Sequence, residues 1–223
     1  MISKKLNPRN QTSINQKFRE KRFKFFLSLF ENIKSDKPVR ILDIGGEESY
    51  WERMNFVQNN EDVHITLLNL TQVPTKYPNL VSIKGDACDL SEFKDKEFDI
   101  VFSNSVIEHL YTKENQQKMA NDAIRIGKNY YVQTPNYYFP IEPHWIFPGF
   151  QFLPFNTRVF LTHHFALGNF SKITNKNEAR RLVSEISLLT EKEMKALFPG
   201  GKVYREIFMG FKKSVAMYQF TGN

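Results

Sequence analysis

The chain has 223 residues, 41% of them hydrophobic, with 10 glycines and 10 prolines, the size of one globular domain with its own core and too little for two. A single cysteine excludes an internal disulfide, and there is no N-terminal apolar leader or apolar run of about 18 residues, so the expectation is a soluble, cytoplasmic chain. The net charge of +7 is held unevenly: residues 1–40 carry eleven Lys or Arg against three acids, and the remainder is close to neutral, which argues against a general nucleic-acid binder.

Apolar residues recur at helical spacing through Ile14, Phe18, Phe25, Phe26, Leu29, Phe30 and Ile33, predicting an amphipathic helix over 13–33 within a basic element of residues 1–36. Its polar face holds Lys17, Arg19, Lys21, Arg22 and Lys24. Two readings are open: a solvated face on a helix whose Phe stripe covers a sheet, or a peripheral surface for anionic lipid or RNA.

Val39 to Ile44 is a continuous apolar run ending in glycine, a buried parallel strand. Residues 49–59 have helical character; strands are expected at 63–70, 80–84, 98–103 and 129–133, with a helix over 113–126 stopped by Gly127. Strands alternating with helices predict an α/β, Rossmann-like, doubly wound sheet. Residues 137–170 break the rhythm, with eleven aromatics and few basic side chains, while Pro140, Pro143, Pro148 and Pro154 are expected to prevent long regular elements. A lid and acceptor-binding insertion over 137–190 is the reading. Helices at 176–184 and 190–198 follow, then strands at 203–208 and 214–220, whose short link requires antiparallel pairing. The whole is expected to be a single domain, monomeric or homodimeric.

Open parallel sheets bind ligands beyond the carboxyl ends of their strands. Four strand ends are chemically equipped: Asp43 with Gly45, Gly46 and Glu47; Asn69; Asp86 with Ala87; and Ser103 and Asn104 leading to Glu108 and His109. Glycine permits a sharp turn and close approach of backbone to ligand. Asn69 can reach ribose hydroxyls, and Asp86 can accept from an exocyclic amine. Each has a plainer reading as a turn, a cap or a packed side chain. His144, beside Trp145 in the Pro-rich segment, is as readily a packed histidine as a reactive one. His163 and His164 are adjacent in sequence, and no His, Cys or acidic cluster has metal-ligand spacing, so no metal is expected.

With ILDIGGEESYWERM, LLNL, GDACDL, FDIVFSNSVIEHL and YYVQTPNYYFPIEPHW in this order, the chain resembles the class I S-adenosylmethionine-dependent methyltransferases over about Val39 to Pro135. The resemblance implies a mostly parallel seven-stranded sheet with an antiparallel C-terminal strand. It implies S-adenosylmethionine as cofactor, held by Asp43, Gly45, Gly46, Glu47, Asn69, Asp86, Ala87, Ser103 and Asn104. It also implies methyl transfer; the aromatic, Pro-rich insertion fits a small-molecule or saccharide acceptor, with O-methylation the expectation and N- or C-methylation left open. His109 is the first candidate for proton removal and His144 the second, with Glu108 orienting either. Two departures stand out: Glu47 and Ser49 occupy the family's second and third glycine places, and Asn69 stands where an acid is usual. A nicotinamide-dependent oxidoreductase fits worse, lacking both Gly-x-Gly-x-x-Gly and the acid. The alternative from another class is a degenerate fold that binds an anionic membrane surface or RNA without catalysis.

Overall fold

The parallel strands form where β-branched and apolar residues run unbroken, because helices cover both faces of the sheet. The computed structural model describes residues 14–33 and 37–221; the start of the N-terminal helix at Ser13 and the rest of residues 1–13 and 34–36 lie outside that range. Seven strands, β1 (Val39–Ile44), β2 (Val63–Asn69), β3 (Leu80–Lys84), β4 (Phe98–Asn104), β5 (Gly127–Pro135), β8 (Lys202–Phe208) and β9 (Phe211–Gln219), make one sheet in the order β3-β2-β1-β4-β5-β9-β8. The first five are parallel, and β9 enters antiparallel between β5 and β8. A two-stranded ribbon, β6 (Ile141–Glu142) with β7 (Phe147–Pro148), stands apart.

Alternation along β4 shows how the sheet divides its core. Ile100 and Phe102 face one side, with Trp51, Phe56 and Tyr131; Val101 between them faces the other, with Met119, Ala123 and Met194. Helix α1 (Ile14–Phe30) lies on the first side and buries Phe23, Phe26 and Phe30 there, Phe26 at 5.0 Å from the Phe102 ring. Helices α4 (Lys113–Ile126) and α7 (Glu191–Leu197) cover the second. Thr112 caps α4 by accepting from the Asn115 N–H, and Thr190 with Glu193 forms a capping box on α7.

The structure departs from the sequence reading in two places. The helix expected over 49–59 is split into α2 (Glu48–Arg53) and α3 (Phe56–Asn59), because Asn55 takes a left-handed φ of 52°. The helix over 113–126, by contrast, ends where expected, with Gly127 as its C-cap and the first residue of β5. The prolines of the insertion do not prevent helix: Pro154 sits at the N-cap of α5 (Phe155–His164), where a missing N–H costs nothing. With α6 (Lys176–Glu185), α5 shelters a third apolar cluster around Trp145, Phe150, Val159, Val183 and Leu188. No helix among the described residues is long and apolar enough to cross a membrane.

Candidate active site

Strand order reverses between β1 and β4, and the crevice beyond their carboxyl ends is where an open α/β sheet takes ligand. Gly45 turns the chain there with φ of +72°, and a Cβ on it would meet Val106 at 2.5 Å. Gly46 is constrained by chemistry: a Cβ would lie 1.8 Å from Oδ2 of Asp43. That carboxyl is buried, and Oδ2 accepts from Trp51 Nε1 at 2.7 Å while Oδ1 has no hydrogen-bond partner among the described residues. Burial pushes the Asp43 pKa up to about 8, against the lowering effect of the Trp51 hydrogen bond. The resulting cavity, about 220 Å³, is lined by Asp43, Gly45, Gly46, Glu47 and Asn104, together with Arg19, Tyr50, Arg53 and Ser105.

Other strand-end residues serve the frame. Asn69 donates its amide to the Gly46 carbonyl at 2.8 Å and so pins the glycine loop. Ser103, expected to face ligand, is fully buried with Oγ donating to the Ile44 carbonyl at 3.1 Å; its hydroxyl ties β4 to β1 and points away from the cleft. Asp86 is exposed and accepts from the Cys88 N–H in a local turn, and Ala87 packs against the core. Neither lines the cavity.

A second cavity of about 230 Å³ adjoins the first, sharing Arg19 and Ser105. Its wall is largely apolar, including Phe18, Phe139, Ile141, Ile146 and Phe208, and Glu108 and His144 lie among its lining. A single 3-10 turn (Ile107–His109) carries Glu108 and His109 off the end of β4. His144 arrives from the loop after β6, its Nε2 at 3.2 Å from Nε2 of His109. Glu142 holds it there: Oε1 lies 2.7 Å from His144 Nδ1, and Oε2 accepts from the N–H groups of His144 and Trp145. Glu108 is fully buried, with Oε2 accepting from Thr134 Oγ1 at 2.9 Å and Oε1 unpartnered among the described residues. Burial raises the Glu108 pKa to about 7. Burial, with the nearby charge of His144, lowers His109 to about 4. Burial also opposes charge on His144, but the hydrogen bond and charge of Glu142 outweigh it and hold that imidazole above its ordinary value.

Two features escaped the sequence reading. The basic face of α1 is not simply solvated: Arg22 is buried and donates from Nη1 to both Glu206 oxygens at 2.9 Å, with Lys213 and Ser214 completing the group. Its signal was present, since Arg22 neighbours Phe23 of the buried stripe, but its partner lies 184 residues away. The aromatics of the insertion, read as an acceptor wall, mostly build their own core. Trp145 is buried against Phe150, 4.3 Å between ring centroids, and its Nε1 donates to Thr162.

Comparison with known proteins agrees with this layout. Residues 52–129 match the family described as a methyltransferase domain. Uncharacterized proteins from two Mycobacterium tuberculosis strains are each 34% identical over 64 residues, covering 28% of this chain and 22% of their own length; the chain thus aligns with under a quarter of the curated relatives it matches. Among solved structures, the CurJ carbon methyltransferase superposes with a TM-score of 0.58 at 11% identity, covering 98% of this chain and 57% of that one. An S-adenosylmethionine-dependent methyltransferase from Archaeoglobus fulgidus gives 0.54 at 13% identity, covering 89% and 91%. One from Methanosarcina mazei gives 0.51 at 14%, covering 85% and 94%. At these identities the superpositions establish the fold. The family match over residues 52–129 and the superpositions together show the fold of a methyltransferase domain.

Proposed function

We propose that this chain transfers a methyl group from S-adenosylmethionine to a hydroxyl of a small-molecule or saccharide acceptor. The observation that carries the reading is the pair of adjoining cavities at the β1/β4 reversal, one bipolar and one apolar, meeting at Arg19 and Ser105. The bipolar cavity suits the amino-acid end of the cofactor. Asp43, with an unpartnered buried oxygen, and Glu47 offer acceptors for an ammonium, and Arg19 and Arg53 offer donors for a carboxylate. Glu47 in a glycine's place therefore does not close the site: it lies on the rim, at the N-cap of α2. When bound, S-adenosylmethionine supplies a methyl group already activated on a sulfonium.

The protein's remaining tasks are to align the acceptor and exclude water. Phe18, Phe139, Ile141 and Phe208 supply the apolar wall, and Glu108 and His144 present polar atoms at one place on it. His109 is neutral near pH 7, but its low pKa makes it a weak base and it does not itself line the cavity, so His144 on the wall is the better placed of the two to take a proton. The non-catalytic reading is less favoured, because Arg19 and Arg22 turn toward the cavities instead of outward. Titration calorimetry with S-adenosylmethionine and with its demethylated product tests the assignment: micromolar binding weakened by Arg53→Ala supports it, and no heat from folded protein with either ligand sinks it.

A further inference from the structure

The Glu108, His109 and His144 side chains form a group that chain spacing conceals, because His144 lies 35 residues beyond His109. One carboxylate oxygen of Glu108 and one nitrogen from each imidazole lie within 4.8 Å of one another. We propose that these three residues bind one divalent transition-metal ion, of the zinc type, beside the acceptor cavity.

Three independent observations converge on a cation at this point. The first is the orientation of the rings. Glu142 stands 2.7 Å from His144 Nδ1, and Glu185 faces His109 Nδ1 at 3.7 Å. A carboxylate at Nδ1 favours the tautomer protonated there and leaves the Nε2 lone pair free, the arrangement by which metal-ligating histidines are held. Here both Nε2 atoms then turn toward each other, and two lone pairs in contact repel unless a cation lies between them.

The second observation is distance. Two nitrogens bound to one ion at roughly 2.0–2.1 Å lie about 2.8–3.4 Å apart, from octahedral to tetrahedral geometry, and the Nε2 atoms are separated by 3.2 Å. The third is Glu108, fully buried, whose Oε1 has no hydrogen-bond partner among the described residues although Oε2 is satisfied by Thr134. An unpaired carboxylate oxygen in such a place is costly unless a proton or metal completes it.

Two imidazoles and one carboxylate form a donor set that suits zinc, iron or nickel and leaves coordination positions open. Those positions would face the cavity lined by Glu108 and His144. An ion there would polarise an acceptor hydroxyl and lower its pKa. This role rests on the methyl-transfer reading; the binding of the ion does not.

The probe is Co²⁺, added to chelator-treated full-length protein and followed by its visible ligand-field absorption, with Zn²⁺ as competitor and circular dichroism as the check on folding. Wild type should bind a single Co²⁺ that Zn²⁺ displaces. His144→Ala and Glu108→Gln should abolish the band, whereas Glu142→Gln, which leaves all three ligands in place, should weaken affinity by about 10- to 100-fold. His163→Ala, away from the site, should change nothing. Absence of the band in folded wild type overturns the proposal, as does a band that survives both ligand substitutions. If His144→Ala does not fold, Glu142→Gln and Glu108→Gln decide the matter, since unchanged affinity in both also overturns it. Calorimetry with S-adenosylmethionine on the same samples reads the function separately: Co²⁺ without cofactor binding removes the methyl-transfer reading and supports the ion site, and the converse removes the ion site.

Discussion

The cavity at the glycine loop draws most of its lining from residues 43–53 and 102–105, whereas its neighbour collects side chains from five separated stretches, residues 18–22, 105–108, 133–146, 169 and 208–214. The first is shaped by backbone and short-range bonds: a positive φ at Gly45, a carboxyl against Gly46, an Asn69 amide on the loop. The second is shaped by how remote elements pack. Substitutions in remote elements should therefore reach the second cavity, the proposed acceptor side, and spare the first, the proposed cofactor side, and chain-local changes should do the reverse.

The strongest way to break this contrast is at Trp145. Truncating a buried Trp to Ala costs about 4 kcal/mol, so Trp145→Ala should lower thermal stability and loosen the neighbouring His144, while calorimetry finds cofactor affinity within twofold of wild type. A fall in cofactor affinity as large as the loss of stability would show that the two cavities are one cooperative unit. Arg22→Met comes next: it leaves Glu206 buried beside Lys213 and Ser214 alone and should cost about 3 kcal/mol in denaturant unfolding. Full stability in this variant would mean that α1 is held by its Phe stripe alone.

On the cofactor side, Asp43→Asn should weaken S-adenosylmethionine by about tenfold, or about 1.4 kcal/mol. It also carries a pH signature. The folded pKa of about 8 lies above the ordinary carboxyl value of 3.8; between these values the native carboxyl keeps a proton that the unfolded chain has lost. Stability of the ligand-free protein is thus highest at the acid end of this window and falls as pH rises through it. Asp43→Asn should flatten that slope in melting curves, and wild-type cofactor affinity should rise toward pH 8 as the carboxyl ionises. A slope identical in wild type and variant would assign the effect elsewhere. The smallest effect is expected from Asn69→Ala, which removes one hydrogen bond to the glycine loop and should cost about 1 kcal/mol of cofactor binding, with turnover per bound cofactor unchanged.

The same contrast explains what could be read in the chain alone. The sheet was legible because its strands announce themselves as apolar runs, such as residues 39–44 and 98–103, and because strand ends place Asp43, Gly45, Gly46, Glu47 and Asn104 together through sheet logic. What failed was the aim of single side chains. Ser103 sits at a strand end but points inward, which the alternation of β4 decides only once the register with β1 is known. Nothing local distinguishes a cavity-lining aromatic such as Phe139 from a buried one such as Phe150; the packing of α5 and α6 does. The proximity of His144 to His109 depends on Glu142 and on the fold of a whole insertion, and it leaves no mark in the spacing of histidines.

The place of β9 between β5 and β8 bears on the order in which this protein assembles. Pairings such as Tyr130 with Gln219 and Pro135 with Ser214 join residues that are remote along the chain, and closing so long a loop costs entropy before any contact repays it. The β1–β4 half can gather through shorter crossovers first. A folding chain should then possess its glycine loop before it possesses Phe208, Lys213 and Ser214, the hairpin residues that line the second cavity. Pulse-labelling hydrogen exchange should find amides of β1 and β4 protected ahead of those of β9, so that the proposed cofactor cavity takes shape, in time, before the proposed acceptor cavity.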